Sequence, residues 1–143
     1  MKDDTFFSLF DIGERGNINA NQMHPITLAF LGDVVHLFYV RSTLISKADF
    51  KQRDLQVKAS KVVRATNQAK ALDIILDKLT SDEQDIARRA RNAKTNNIAK
   101  NASPEEYKKS TAFEALLGYF YLTKNGEKLK LLLDSADECA LKK

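Results

Sequence analysis

Three features of the sequence predict an all-α fold. Only five glycines and two prolines occur in 143 residues; Ala, Leu, Lys, Glu, Asp and Gln are plentiful; and apolar residues recur at three- and four-residue spacing. Turn dipeptides are few. A chain of this length fits one domain around one core, so a single unit over residues 1–143 is expected.

Residues 11–24, DIGERGNINANQMH, are polar and rich in Gly and Asn and read as a loop. Pro25 then suits the first position of a helix, where its missing N–H costs nothing, and His24 is placed to cap it. That helix is expected to run to about Leu44. It is apolar nearly all round from Leu28 to Val40, which predicts a central, buried helix. A second helical stretch is expected from about Lys51 to Lys78. Leu55, Val62, Ala65, Ala69, Leu72 and Leu76 form its apolar stripe, and Lys58, Lys61, Arg64 and Lys70 lie on its polar sides.

Ser81 to Gln84 matches a capping box, so the next helix should start there and carry Ile86 and Ala87. The later part of Ile86 to Pro104 has no helical periodicity and reads as a loop. Ser103-Pro104-Glu105-Glu106 restarts a helix, with Ser103 as N-cap, Pro104 at the first position and Glu106 completing the box. Asn125-Gly126 reads as its stop. Leu129, Leu132, Leu133, Ala136 and Ala140 give a final amphipathic helix.

A net charge of +4 and a pI of about 9.1 permit a polyanionic partner without demanding one. The single Cys139 excludes a disulfide framework and a cysteine-rich zinc site, and fits a cytoplasmic location. No signal peptide is evident in MKDDTFFSLF. The apolar run Ile26 to Val40 is shorter than the roughly 20 residues that span a bilayer, and it holds Asp33 and His36, so no membrane partner is expected.

Two apolar stretches each carry one acid: Asp33 within ITLAFLGDVVHLFYV, and Glu114 within AFEALLGYFYL. Acids are rarely buried unless paired, protonated or bound to metal. One Asp and one Glu from neighbouring helices would suffice for a hard cation such as Mg²⁺, which keeps several waters. Gly32 precedes Asp33 and Gly118 lies one turn after Glu114, so each helix pairs its acid with a residue that lets a backbone or a substrate come close. The alternative is that both acids pair with buried Arg or Lys. Arg41 lies two turns beyond Asp33 on roughly the same face, and composition leans to this ion pair. On the residues alone both readings stay open.

Between Ile86 and Pro104 no acid occurs, while Arg88, Arg89, Arg91, Asn92, Lys94 and Lys100 do. Arg contacts phosphates bidentately, and Asn reaches 2′-hydroxyls or base edges. These six are the candidate RNA-binding residues. A solvated surface loop is the plainer reading of the same charges.

LAFLGDVV at 28–35 and STAFEALLGYFYL at 110–122 resemble the ribonuclease III catalytic domain, and most closely its short form, which lacks a double-stranded-RNA-binding domain. The similarity spans nearly the whole chain and includes Arg91-Asn92-Ala93-Lys94 and Lys100-Asn101. The resemblance implies an all-helical, homodimeric endoribonuclease. It implies Mg²⁺-dependent hydrolysis of double-stranded RNA, with Mn²⁺ as a substitute, in which a metal-activated water attacks phosphorus and leaves a 5′-phosphate and a 3′-hydroxyl. For the short form it implies maturation of 23S ribosomal RNA from its precursor stem, with ribosomal proteins as accessory partners. Asp33 and Glu114 fall on the family's catalytic, metal-binding acids.

The longer enzymes have a Glu where this chain has Ala29 and an Asp where it has Thr111. The short form looks similar in this respect. Thr111 could still hold a metal-bound water through its hydroxyl. Ala90 stands where the short family usually has Gly, and Ile98-Ala99 where it has Thr-Pro. The loss of flanking acids motivates one competing expectation, a non-catalytic RNA-binding or ribosome-assembly module on the same fold. A helical protein-interaction domain is a third reading, supported by composition alone.

Overall fold

The computed structural model describes residues 19–94 and 101–141, which are helical with short turns and contain no strand. The helices are α1 Pro25–Lys47, α2 Gln52–Val63, α3 Ala65–Ile75, α4 Ser81–Asn92, α5 Pro104–Leu122 and α6 Gly126–Leu141. Short 3-10 turns at Ala20–Gln22 and Leu76–Lys78 lead into α1 and out of α3.

The central helix is α5, not α1. Ala112, Phe113, Ala115, Leu116, Leu117 and Phe120 are wholly buried on all sides of α5, and α1, α3, α4 and α6 pack around it. The all-round apolar pattern of α1 therefore has another meaning: Leu28, Ala29, His36 and Val40 are buried, while Phe30, Val34 and Phe38 are exposed. With 23 residues α1 is long and apolar enough to cross a membrane by length and composition, which the shorter apolar run did not predict. Here it lies along α5.

Local chemistry explains most boundaries. The His24 Nδ1 accepts the Ile26 N–H at 3.1 Å, and Pro25 opens α1 as expected. Ser103 and Glu106 form the expected reciprocal box at the start of α5, at 3.1 and 3.0 Å. The stretch expected as one helix from Lys51 to Lys78 is two, broken where Arg64 is extended (φ −65°, ψ 152°). The Asn67 side chain donates to the freed Val62 carbonyl at 2.8 Å and to the Ala136 carbonyl at 2.9 Å, which satisfies the break. Apolar spacing cannot distinguish one helix from two sharing a face.

The α4 box lies one residue earlier than expected. Thr80 is the N-cap and Glu83 its partner, because the Glu83 carboxylate also accepts from Lys128 of α6 at 2.6 Å. Gln84 instead donates back to the Leu76 and Leu79 carbonyls. The α5 terminus also differs from expectation. Lys124 takes the left-handed position (φ 59°), with Asn125 N–H on the Phe120 carbonyl and Lys124 N–H on the Tyr121 carbonyl. Asn125 then caps α6 through the Lys128 N–H, and Gly126 begins α6 rather than ending α5.

Candidate metal centre and nucleic-acid interface

Helices α1 and α5 cross where each carries a glycine. A β-carbon on Gly32 would lie 1.7 Å from the Glu114 carbonyl oxygen, and one on Gly118 would lie 2.1 Å from that of Leu28. Neither distance is possible, so the two backbones are in contact. This is the close approach expected of these glycines, and the neighbour is a backbone. The crossing sets Asp33 beside Glu114.

Neither acid is fully buried. Asp33 is exposed, because α1 turns only one face to the core; Glu114 is partly buried. Loss of water, then the hydrogen bond and charge of Asp33, push the Glu114 carboxyl up to about 8, against a smaller pull from the Gln68 amide. Without a bound cation the pair therefore holds a proton near neutral pH. Among the described residues no Arg or Lys pairs with either acid, and Arg41 is exposed and forms no ion pair. The ion-pair alternative is absent from this part of the chain.

Two converging carboxylates with no cation among the described residues to balance them fit a hard divalent ion that keeps most of its waters. No group of three or more His, Cys, Asp or Glu gathers among the described residues, so a cation held by Asp33 and Glu114 would need water for the rest of its ligands. Thr111 is buried on the turn of α5 before Glu114. Its hydroxyl donates to the Tyr107 carbonyl at 3.1 Å, which leaves oxygen lone pairs to accept from a water.

Sequence reasoning did not single out Gln68. It is 2% exposed on α3, and its Nε2 lies 2.9 Å from His36 Nδ1 and 3.4 Å from Glu114 Oε2. Its signal was a pair of amides, Asn67-Gln68, inside an otherwise apolar stripe. His36, a polar residue within the apolar run, is hydrogen-bonded at one nitrogen only. Its Nε2 is buried with no partner, which costs about 1–3 kcal/mol. Burial lowers its pKa to about 4, against an opposing pull from the Asp33 charge, so the ring is neutral.

The candidate RNA-binding residues separate into groups. Arg88 and Arg89 pair with Asp85 on their own helix, and Arg89 also donates to the Asn21 carbonyl at 3.2 Å. Arg91, Asn92 and Lys94, at the end of α4 and just beyond, have no such partner among the described residues. Lys100 lies outside the described residues, as does the rest of the basic loop at 95–99. A surface cleft of about 450 Å³ between α3, α4 and α5 is lined by Asp73, Asp85, Arg88, Arg91 and Lys109 among others; neither Asp33 nor Glu114 lines it.

Comparison with known proteins matches residues 26–125 to the family model described as the ribonuclease III domain. Over 118 residues the chain is 42% identical to Mini-ribonuclease 3 of Symbiobacterium thermophilum, covering 82% of this chain and 91% of that protein. It is 40% identical over 114 residues to Mini-ribonuclease 3 of Staphylococcus aureus, covering 78% and 85%. A crystal structure of a Fusobacterium nucleatum protein superposes with a TM-score of 0.76 at 28% identity, over 84% of this chain and 96% of that one.

Proposed function

The chain belongs to the ribonuclease III family, on its Mini-ribonuclease 3 branch, and is an endoribonuclease; from that premise we propose that it hydrolyses double-stranded RNA at Asp33 and Glu114 with Mg²⁺. The observation that carries this reading is the convergence of the two acids at the α1–α5 crossing with no cation among the described residues to balance them. Asp33 and Glu114 would hold Mg²⁺, or Mn²⁺ in its place, which when bound would lower the pKa of a water and stabilise charge on the scissile phosphate.

The residues divide the remaining work. Asp33 is exposed, so its oxygens are open to solvent and substrate. Glu114 is deeper and would give up its proton to hold a cation, which would couple metal binding to proton release. Thr111 offers lone pairs to a water on the same face. Arg91, Asn92 and Lys94, extended by Lys100, hold phosphates and 2′-hydroxyls of the duplex, with Arg88 and Arg89 as the tethered members of the set.

The substrate is the base-paired precursor stem of 23S ribosomal RNA, cut to leave a 5′-phosphate and a 3′-hydroxyl. The chain works as a homodimer, for which the exposed apolar row on α1 is a suitable surface. A cytoplasmic setting suits a chain whose one cysteine is Cys139. Incubation with a base-paired precursor stem tests the reading. Cleavage is expected with Mg²⁺, is lost with EDTA, and falls by at least about 100-fold in Asp33→Asn. Equal rates in the variant would remove Asp33 from the chemistry, and cleavage that survives EDTA would remove the metal.

A further inference from the structure

We propose that Gln68 is a positioning residue that holds the Glu114 carboxylate in its metal-binding orientation, with His36 fixing which end of the Gln68 amide faces that carboxylate. The inference rests on the reading of Asp33 and Glu114 as metal ligands.

The geometry is a ring across three helices. Asp33 and His36 come from adjacent turns of α1, Glu114 from α5 and Gln68 from α3. A primary amide carries two N–H donors. The Gln68 nitrogen is placed to use both, one on His36 Nδ1 at 2.9 Å and one on Glu114 Oε2 at 3.4 Å. An ionised carboxylate only accepts, so the opposite orientation would set the amide oxygen against it. His36 Nδ1 selects the productive orientation by accepting the first N–H, and its proton then sits on Nε2.

That nitrogen is buried with no partner among the described residues, so the core tolerates an unsatisfied donor in order to present Nδ1 to Gln68. The imidazole is wholly buried and set against the Phe113 ring at 5.5 Å, which fixes its plane. Gln68 has no structural duty of the kind its neighbour performs. Asn67 satisfies the break between α2 and α3 and ties in α6, whereas the side-chain hydrogen bonds of Gln68 among the described residues run to His36 and Glu114. Partners behind a metal ligand are worth roughly 10–100-fold in metal affinity or activity.

The test measures Mn²⁺ binding to the full chain by calorimetry for wild type, Asp33→Asn, Gln68→Met, His36→Leu and the Gln68→Met/His36→Leu double variant, with circular dichroism to establish folding. Gln68→Met keeps side-chain length and should bind Mn²⁺ about tenfold more weakly. Its KM for duplex RNA should be unchanged, while kcat at limiting Mg²⁺ falls and recovers as Mg²⁺ is raised. The double variant should bind no more weakly than Gln68→Met, since His36 acts through the amide; additive losses overturn the role given to His36. Wild-type affinity in a folded Gln68→Met overturns the inference alone, whereas a wild type that binds no Mn²⁺ overturns the metal reading as well. One measurement needs no variant. The Gln68 side-chain N–H signals of the wild type, assigned by triple-resonance spectra, should shift when Mg²⁺ is added, and unmoved signals overturn the inference.

Discussion

Gly32 lies against the main-chain carbonyl of Glu114, so that one helix carrying a candidate ligand rests on the backbone of the other. A methyl group at Gly32 would sit 1.7 Å from that oxygen, and one at Gly118 2.1 Å from the Leu28 oxygen. Alanine is the better helix former by about 0.5–1 kcal/mol, so without the crossing Gly32→Ala would stabilise the protein. With it, α1 and α5 must separate. Overpacking of this kind costs about 1–3 kcal/mol, and contact with backbone rather than a flexible side chain favours the upper end. Urea unfolding of Gly32→Ala should give a lower midpoint, and cleavage should fall further than stability alone explains, because the two acids are pulled apart. A raised midpoint would show that the helices do not touch there.

The pH dependence of stability follows from two buried groups with opposite signs. Burial and Asp33 raise Glu114 from 4.5 to about 8, so the stability it contributes is complete at low pH and is lost as pH rises through about 8. Burial lowers His36 from 6.5 to about 4, so its contribution is present above 6.5 and is lost as pH falls toward 4. The two slopes oppose each other between 4.5 and 6.5, and above 6.5 Glu114 acts alone. In EDTA, stability should fall by about 1–2 kcal/mol between about pH 6.5 and 8. Asp33→Asn should flatten that slope, since it removes the neighbouring charge. Urea midpoints at the two pH values check both statements, and a wild type with equal midpoints would mean that Glu114 ionises without resistance.

Binding to duplex RNA should depend on salt through the cations that are free to meet phosphate. Arg91 and Lys94 have no acidic partner among the described residues, whereas Arg88 and Arg89 share Asp85. Arg91→Ala with Lys94→Ala should reduce the slope of log affinity against log salt by about 2, one for each phosphate no longer neutralised. Arg88→Ala should change it less, because Asp85 already competes for that guanidinium. Filter-binding titrations across a salt series decide the matter, and an unchanged slope in the double variant would mean that other residues hold the phosphates.

What the sequence revealed, and what it hid, follows from the range over which each interaction acts. The caps at His24 and Ser103 were readable because an N-cap spans three or four residues. The Thr80 box was misplaced by one residue because two overlapping patterns fit, and the deciding contact, Lys128, lies 45 residues away. Apolar periodicity identified helices but not which one is central: α1 and α5 are both apolar all round, and α1 spends its surplus on an exposed face. Asp33 and Glu114 were visible as acids in apolar company. Gln68 and His36 were not visible as a pair, since no local pattern joins residues 32 apart on different helices.

Phe30, Val34 and Phe38 stand one turn apart along α1 and are 79%, 58% and 55% exposed. Three large apolar side chains in a row on the surface suit a site of association, and a two-fold pairing would use the same row on both copies. Asp33 immediately precedes Val34, so each candidate metal centre would lie at the rim of that interface. Phe30→Glu places charge at the most exposed position of the row, where little of the protein's own core is disturbed. Light scattering should then find a monomer with unchanged helix content, against a dimer for the wild type. A wild-type monomer would end the dimer reading, and a Phe30→Glu dimer would move the interface off α1. Cleavage should fall with the loss of dimer, because the duplex would lose half of its basic surface; a monomeric variant that cuts at the wild-type rate would mean that one copy grips the RNA unaided.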